Sequence, residues 1–94
     1  MKTIFEWNDN KAESNLRKHG VSFDEAQLAF TDDLSVTIPD PDHSDEEERL
    51  IVIGISTANR LLVVVYTERG NAIRLISARE ATRAERRKYE EDLP

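Results

Sequence analysis

The residues best suited to chemistry in the C-terminal third of this sequence are arginines. Arg69 and Arg74 lie on either side of a Gly70-Asn71 pair, and Arg79 follows five residues after Arg74. Planar guanidinium groups match the oxygens of a phosphate, so arginines grouped in this way indicate an anion site. The alternative is that Arg74 and Arg79 form ion pairs with nearby acidic side chains (Glu68, Glu80 or the acidic residues at 40–48).

Lys18 and His19 form a second candidate, at the predicted end of a helix just before Gly20. A helix C-terminus favours a protonated imidazole, so a capping role for His19 is one explanation. The other is a proton-transfer group with a cation beside it. Together with the arginines, such a group is suited to RNA cleavage through the 2′-hydroxyl. That reaction needs proton transfer and a cation that stabilises the phosphorane.

No pattern in the sequence predicts a bound cofactor. Nucleotide-binding glycine motifs and serine-nucleophile motifs are absent, and there is no cysteine. His43 lies among Asp40, Asp42 and Asp45, but this spacing matches no established metal site, and a solvated loop is the better interpretation. We therefore expect no metal and no cofactor.

The net charge of −6 hides an uneven distribution of charge. Residues 31–48 contain eight acidic residues and no Lys or Arg, whereas the other 76 residues contain 13 basic and 11 acidic residues. Residues 69–88 alone contain seven basic residues and two acidic ones. The net charge would argue against a nucleic-acid partner, but its distribution leaves a basic surface for one.

The hydrophobic pattern predicts one α+β domain over residues 1–94, with the order β-α-α-β-β-β-β-α and an antiparallel sheet. Helices are expected from about 9 to 19, 22 to 30 and 82 to 91, and capping boxes open the last two. Strands are expected at 4–7, 34–38, 49–56, 60–67 and 72–78. The apolar runs are too short for a membrane span or a signal peptide, which favours a cytoplasmic protein.

A two-residue turn at Gly70-Asn71 would fix the faces of the last hairpin. It pairs Thr67 with Arg74 and therefore predicts that Thr67, Arg69 and Arg74 share one face of the sheet. The same alternation of side chains predicts that the other face carries Tyr66, Glu68, Ser77 and Arg79.

Several motifs resemble the BrnT toxins, a family of small ribonucleases from type II toxin–antitoxin systems. The resemblance rests on Phe5-Glu6-Trp7, on Lys18-His19-Gly20-Val21-Ser22-Phe23, on Glu48-Arg49, and on Ile76-Ser77-Ala78-Arg79 followed by Glu85 and Tyr89. It covers residues 5–89 in order. Asn8 departs from the Asp that is more common in the family, but Asn caps a helix equally well.

This resemblance implies a RelE-like fold and a ribonuclease that inhibits translation. It also implies neutralisation by a BrnA-like antitoxin with a ribbon-helix-helix domain, through which the complex would bind operator DNA. The active-site candidates that it carries over are Lys18, His19, Arg69, Arg74, Arg79 and Tyr89. His19 would be the acid/base group, Lys18, Arg69 and Arg74 would bind phosphate, and Arg79 and Tyr89 would orient the substrate.

The main alternative is a catalytically inactive module that binds the antitoxin and contributes to operator repression. Exposed basic residues of the last helix (Arg83, Arg86 and Arg87) would then contact an acidic or amphipathic partner. A free-standing DNA-binding protein is disfavoured, because the last helix ends in the acidic run Glu90-Glu91-Asp92 and no recognition helix is evident.

Overall fold

The structure, a computed structural model, describes residues 3–41 and 48–91. Its strands are β1 (Ile4–Glu6), β2 (Val36–Pro39), β3 (Arg49–Ile55), β4 (Leu61–Arg69) and β5 (Ala72–Glu80). Its helices are α1 (Asp9–His19), α2 (Phe23–Ala26) and α3 (Arg83–Glu91), and a 3-10 turn (Gln27–Thr31) extends α2. The predicted α+β class and the order of elements are confirmed.

The five strands form one sheet in the order β1-β5-β4-β3-β2. The pairs β2–β3, β3–β4 and β4–β5 each join strands that follow one another in the sequence. All three run antiparallel, as predicted. β1 differs, because it lies at the edge parallel to β5 and pairs Glu6 with Arg74. This parallel contact brings the N-terminal strand beside the basic hairpin.

One face of the sheet packs against α1, α2 and the 3-10 turn. Its core is centred on Phe23, Val64 and Leu75, all at most 2% exposed, and ring contacts of Trp7 with Phe23 and of Phe30 with Tyr66 extend it. Aromatic and aliphatic burial of this kind supplies most of the favourable free energy of folding. We call this surface the helical face.

Among residues 3–41 and 48–91, the element that covers the opposite face is α3, at one end. There α3 places Tyr89, which is 4% exposed, against Ile53, Leu61 and Val63. We call this surface the α3 face. Tyr89 is the buried residue of α3 among those described, and Ala84 of the same helix is exposed.

Asn15 joins α1 to the exposed edge of β5. Its side-chain amide donates to the carbonyls of Ala78 (2.8 Å) and Val21 (3.0 Å), and its oxygen accepts from the Ala78 N–H (3.1 Å). β1 ends before it reaches Ala78, so this side chain takes the place of a neighbouring strand. Asn8 at the N-terminus and Gly20, with φ of 70°, at the C-terminus cap the helix as predicted.

Two polar contacts hold α3 on the sheet. Thr82 and Glu85 form the predicted capping box, and Glu85 also makes two hydrogen bonds of 2.7 Å with the Arg79 guanidinium. The Tyr89 hydroxyl donates to Asp32 Oδ2 at 2.7 Å. Burial, together with this bond to a carboxylate, raises the pKa of Tyr89 to about 12.

The predicted acidic loop at 40–48, with His43 inside it, lies outside the described residues except for Asp40, Pro41 and Glu48. In the part of the chain that is described, no helix has the length and hydropathy needed to cross a membrane.

Replacing Asn15 with Ala should destabilise the fold. It removes three hydrogen bonds and leaves the Ala78 N–H without its partner, which corresponds to about 2–4 kcal/mol. Asn10→Ala, at an exposed position of the same helix, is the matched control and should change stability by less than about 0.5 kcal/mol. Urea unfolding followed by circular dichroism measures both; equal stabilities for the two variants would contradict this role of Asn15.

Glu85 should make the stability of the fold depend on acid. The hydrogen bonds from Arg79 lower the pKa of Glu85 from 4.5 to about 2. A lowered pKa in the folded state stabilises the protein above pH 4.5, and this contribution is lost as the pH falls towards 2. Glu85→Gln should therefore cost about 1–2 kcal/mol at pH 7 and progressively less below pH 4.5. Thermal unfolding against pH tests this, with Glu90→Gln on the same helix as the control; a constant difference from pH 7 to pH 2.5 would refute it.

Candidate functional site

The hairpin between β4 and β5 forms in the predicted register. Arg69 pairs with Ala72 and Thr67 with Arg74, and Gly70 has the positive φ, 60°, that the turn requires. On its other side Thr67 pairs with Arg49 of β3. Because directly paired residues share a face, Arg49, Thr67 and Arg74 form a row across three strands of the α3 face.

This row continues to the edge of the sheet through Glu6. The β1–β5 register places Glu6 beside Arg74, and Glu6 Oε1 lies 3.7 Å from Arg74 Nη1. Both side chains are partly exposed, at 41% and 32%. Such a pair contributes little to stability, so its carboxylate and guanidinium are available to a ligand at small cost. We call Glu6, Arg74, Thr67 and Arg49 the cross-strand row, and Arg69 extends it towards the hairpin tip.

Thr67 is unusual within the cross-strand row. The residue is 3% exposed, and its buried Oγ1 has no hydrogen-bond partner in the part of the chain that the structure describes. A buried hydroxyl that has lost its water and gained no partner costs about 1–3 kcal/mol. Unsatisfied buried hydroxyls are rare in folded proteins, and a ligand that accepts the hydrogen bond is one explanation for this one.

A β-bulge in β5, opposite β4, reverses which face of the sheet the side chains after it occupy. Val65 pairs with Ser77 while Tyr66 pairs with Leu75, so Ile76 has no opposite residue. The predicted placement of Ser77 and Arg79 on the face opposite Thr67 was therefore wrong, because the extra residue shifts the alternation by one. Both side chains lie on the α3 face, the same face as the cross-strand row.

Arg79 and Tyr89 take part in holding α3. Arg79 makes two side-chain hydrogen bonds of 2.7 Å with Glu85, an acidic partner that the sequence analysis did not name. Most of the acidic loop suggested there lies outside the described residues. Tyr89 is buried and bonded to Asp32. Both side chains therefore have a structural role, which is to hold α3 on the sheet.

Lys18 and His19 lie apart from Arg69 and Arg74. Both are exposed in the last turn of α1, a helix whose Ala12 packs on the helical face. The adjoining Gly20 carbonyl accepts from Arg60, which lies 3.7 Å from Glu80 at the far end of β5. Glu80 lies six positions after Arg74 along β5, a distance of roughly 20 Å. The structure thus divides the predicted constellation into two regions.

The cross-strand row includes three residues that the sequence-based site did not contain. Arg49 and Glu6 come from strands that are distant in sequence from the β4–β5 hairpin. Thr67 was predicted to share a face with Arg69 and Arg74, but not to belong to the site. The available signals were the motifs Phe5-Glu6-Trp7 and Glu48-Arg49, but the pairing of β1 with β5 could not be read from them. In the described ranges, His, Asp and Glu side chains form no group of three or more that could hold a metal ion, and His43 lies outside those ranges.

Comparison with known proteins agrees with this architecture. Residues 7–85 match the family model described as the ribonuclease toxin BrnT of a type II toxin–antitoxin system. The crystal structure of the ribonuclease toxin BrnT from Brucella abortus has a similar fold: the TM-score is 0.62 at 23% identity, over 88% of this chain and all of that one. No curated protein sequence matches significantly. Because the family model spans most of the chain, the protein belongs to the BrnT family of type II toxin–antitoxin ribonuclease toxins.

Proposed function

We propose that this protein is an endoribonuclease toxin that cleaves RNA without a metal ion, inhibits translation, and binds RNA on the α3 face. Membership of the family supports the ribonuclease activity. The observation that carries the location is the register that sets Arg49 and Arg74 on either side of Thr67, with Arg69 two residues further along β4. Three guanidinium groups on one sheet surface match a chain of phosphates.

The proposed roles follow from position. Arg69 and Arg74 bind the phosphate backbone and stabilise the negative charge that develops on the phosphorane. Lys18 and His19, exposed at the end of α1 on the other side of the sheet, take no part in this proposal at the cleaved bond. Arg79 and Tyr89 act through α3, whose position on the sheet they maintain.

We further propose that the toxin is neutralised by a BrnA-like ribbon-helix-helix antitoxin, and that operator DNA is bound through this complex. The exposed side of α3 supports a protein contact. Arg83, Arg86 and Arg87 are exposed there, while Tyr89 faces the sheet. An outward basic surface on a helix held by its other side is suited to an acidic partner segment.

Cleavage should occur in EDTA and should depend on Arg74. Purified protein is incubated with an oligoribonucleotide, and the products should carry a 2′,3′-cyclic phosphate. Arg74→Ala should lower kcat/KM at least about 100-fold, because it removes a cation from the charged transition state. Arg87→Ala is the control for a lost surface arginine and should retain activity. The proposal is wrong if the wild type leaves RNA intact, or if Arg74→Ala and Arg87→Ala cleave equally.

Charge reversal on α3 should weaken antitoxin binding without affecting cleavage. Arg83→Glu combined with Arg87→Glu should raise the Kd for the co-expressed antitoxin at least about tenfold, because it replaces attraction with repulsion. Lys11→Glu, at an exposed position of α1, is the control. Isothermal titration calorimetry gives the Kd values, and unchanged affinity in the double variant would exclude this surface. Growth arrest on expression of the toxin, relieved by the antitoxin, tests the pairing itself.

A further inference from the structure

We propose that the cross-strand row is the site of the cleaved phosphodiester: Arg74, Thr67 and Arg49 bind the phosphate, and Glu6 accepts the proton of the 2′-hydroxyl. This inference rests on the proposed ribonuclease function and deepens it. It names residues from β1 and β3 that the site predicted from the sequence does not include. Its basis is the alignment of a carboxylate, two guanidinium groups and an unpartnered hydroxyl across four neighbouring strands.

The first step is the binding of the phosphate by Thr67. Its Oγ1 has a proton to donate and no acceptor among the described residues. The residues directly opposite it on the two neighbouring strands are arginines, whose Cβ atoms lie about 5 Å away in an antiparallel sheet. Arginine side chains are long and rotate readily, so they can move aside from the hydroxyl and contact a phosphate that enters. A non-bridging phosphate oxygen then satisfies Thr67 Oγ1 and lies between two cations.

The second step assigns the base. Glu6 Oε1 is 3.7 Å from Arg74 Nη1, so a phosphate held by Arg74 lies beside this carboxylate. The ribose 2′-hydroxyl next to that phosphate is then within reach of Glu6. A carboxylate paired with an arginine that also binds the substrate is a suitable general base, because the arginine holds both groups in position.

The reaction balances without a metal ion or a redox partner. The 2′-oxygen attacks phosphorus and forms the 2′-O–P bond, while its proton passes to the Glu6 carboxylate. The bond between phosphorus and the 5′-oxygen breaks, and that oxygen takes a proton from water. Glu6 then returns its proton to solvent. The products are a 2′,3′-cyclic phosphate and a 5′-hydroxyl end, and Arg49 and Arg74 stabilise the charge on the phosphorane.

Competing explanations give different expectations. If Thr67 served only as a β-branched strand residue, Thr67→Val would be neutral for RNA binding. If Glu6 served only to balance the charge of Arg74, Glu6→Gln would alter RNA affinity and leave the rate of the bound complex unchanged. Binding and turnover must therefore be measured separately.

The test of Thr67 uses 2′-O-methylated RNA, which binds and cannot be cleaved, with fluorescence anisotropy as the readout. Thr67→Val should weaken binding about tenfold, because it removes a hydrogen bond to a charged group. The same change should raise the Tm by about 3–8 °C, because it removes the unpartnered hydroxyl. Thr67→Ser should bind like the wild type. Thr57→Val, at an exposed position in the β3–β4 turn, should change neither property. Undiminished binding by Thr67→Val overturns the phosphate site.

The test of Glu6 uses unmodified RNA in EDTA. Glu6→Gln should bind the 2′-O-methylated strand at least as tightly as the wild type, yet lower kcat at least about 100-fold. Glu13→Gln, an exposed glutamate on α1, should leave kcat unchanged. Wild-type kcat in Glu6→Gln overturns the assignment of the base while the ribonuclease function stands. Wild-type protein that binds RNA through Thr67 but leaves it intact would instead overturn the proposed function, and Glu6 with it.

Discussion

The register of the β4–β5 hairpin is the constraint on which the candidate site depends. The two-residue turn at Gly70-Asn71 aligns Thr67 with Arg74, and the meander to β3 then aligns Thr67 with Arg49. A shift of one residue would send these side chains to the helical face, where apolar packing would exclude them. The arginines lie on one surface because the apolar residues between them fill the core on the other.

The two ends of the α3 face differ in how they relate to stability. At one end, Tyr89 and Glu85 attach α3 through buried apolar contacts and satisfied hydrogen bonds. At the other end, the cross-strand row contains the Thr67 hydroxyl, which has no partner among the described residues, with one arginine on each side of it. The unpartnered hydroxyl lowers the stability of the free protein, and a bound anion that accepts its hydrogen bond would relieve this cost. A site that stabilises a transition state is expected to carry such a local cost.

Local signals in the sequence predicted much of the fold. The capping residues Asn8, Ser22 and Thr82 marked helix starts, and Gly70 gave the hairpin register as far as Tyr66, because these features depend on neighbouring residues. The bulge at Ile76 and the pairing of Glu6 with Arg74 could not be predicted, because both follow from how distant segments pack. The site was therefore only partly predictable. The arginine-rich hairpin was found, whereas Glu6 and Arg49 came from strands distant in sequence, and His19 was grouped with arginines that lie at the other end of the sheet.

RNA is expected to bind across the cross-strand row. The most direct test is to add 2′-O-methylated RNA to isotopically labelled protein and to follow the backbone amide signals by NMR. We expect the largest shifts at Glu6, Arg49, Thr67, Arg69 and Arg74, with small changes at the end of α1. Largest shifts at Lys18, His19 and Gly20, with the signals of the cross-strand row unmoved, would contradict it.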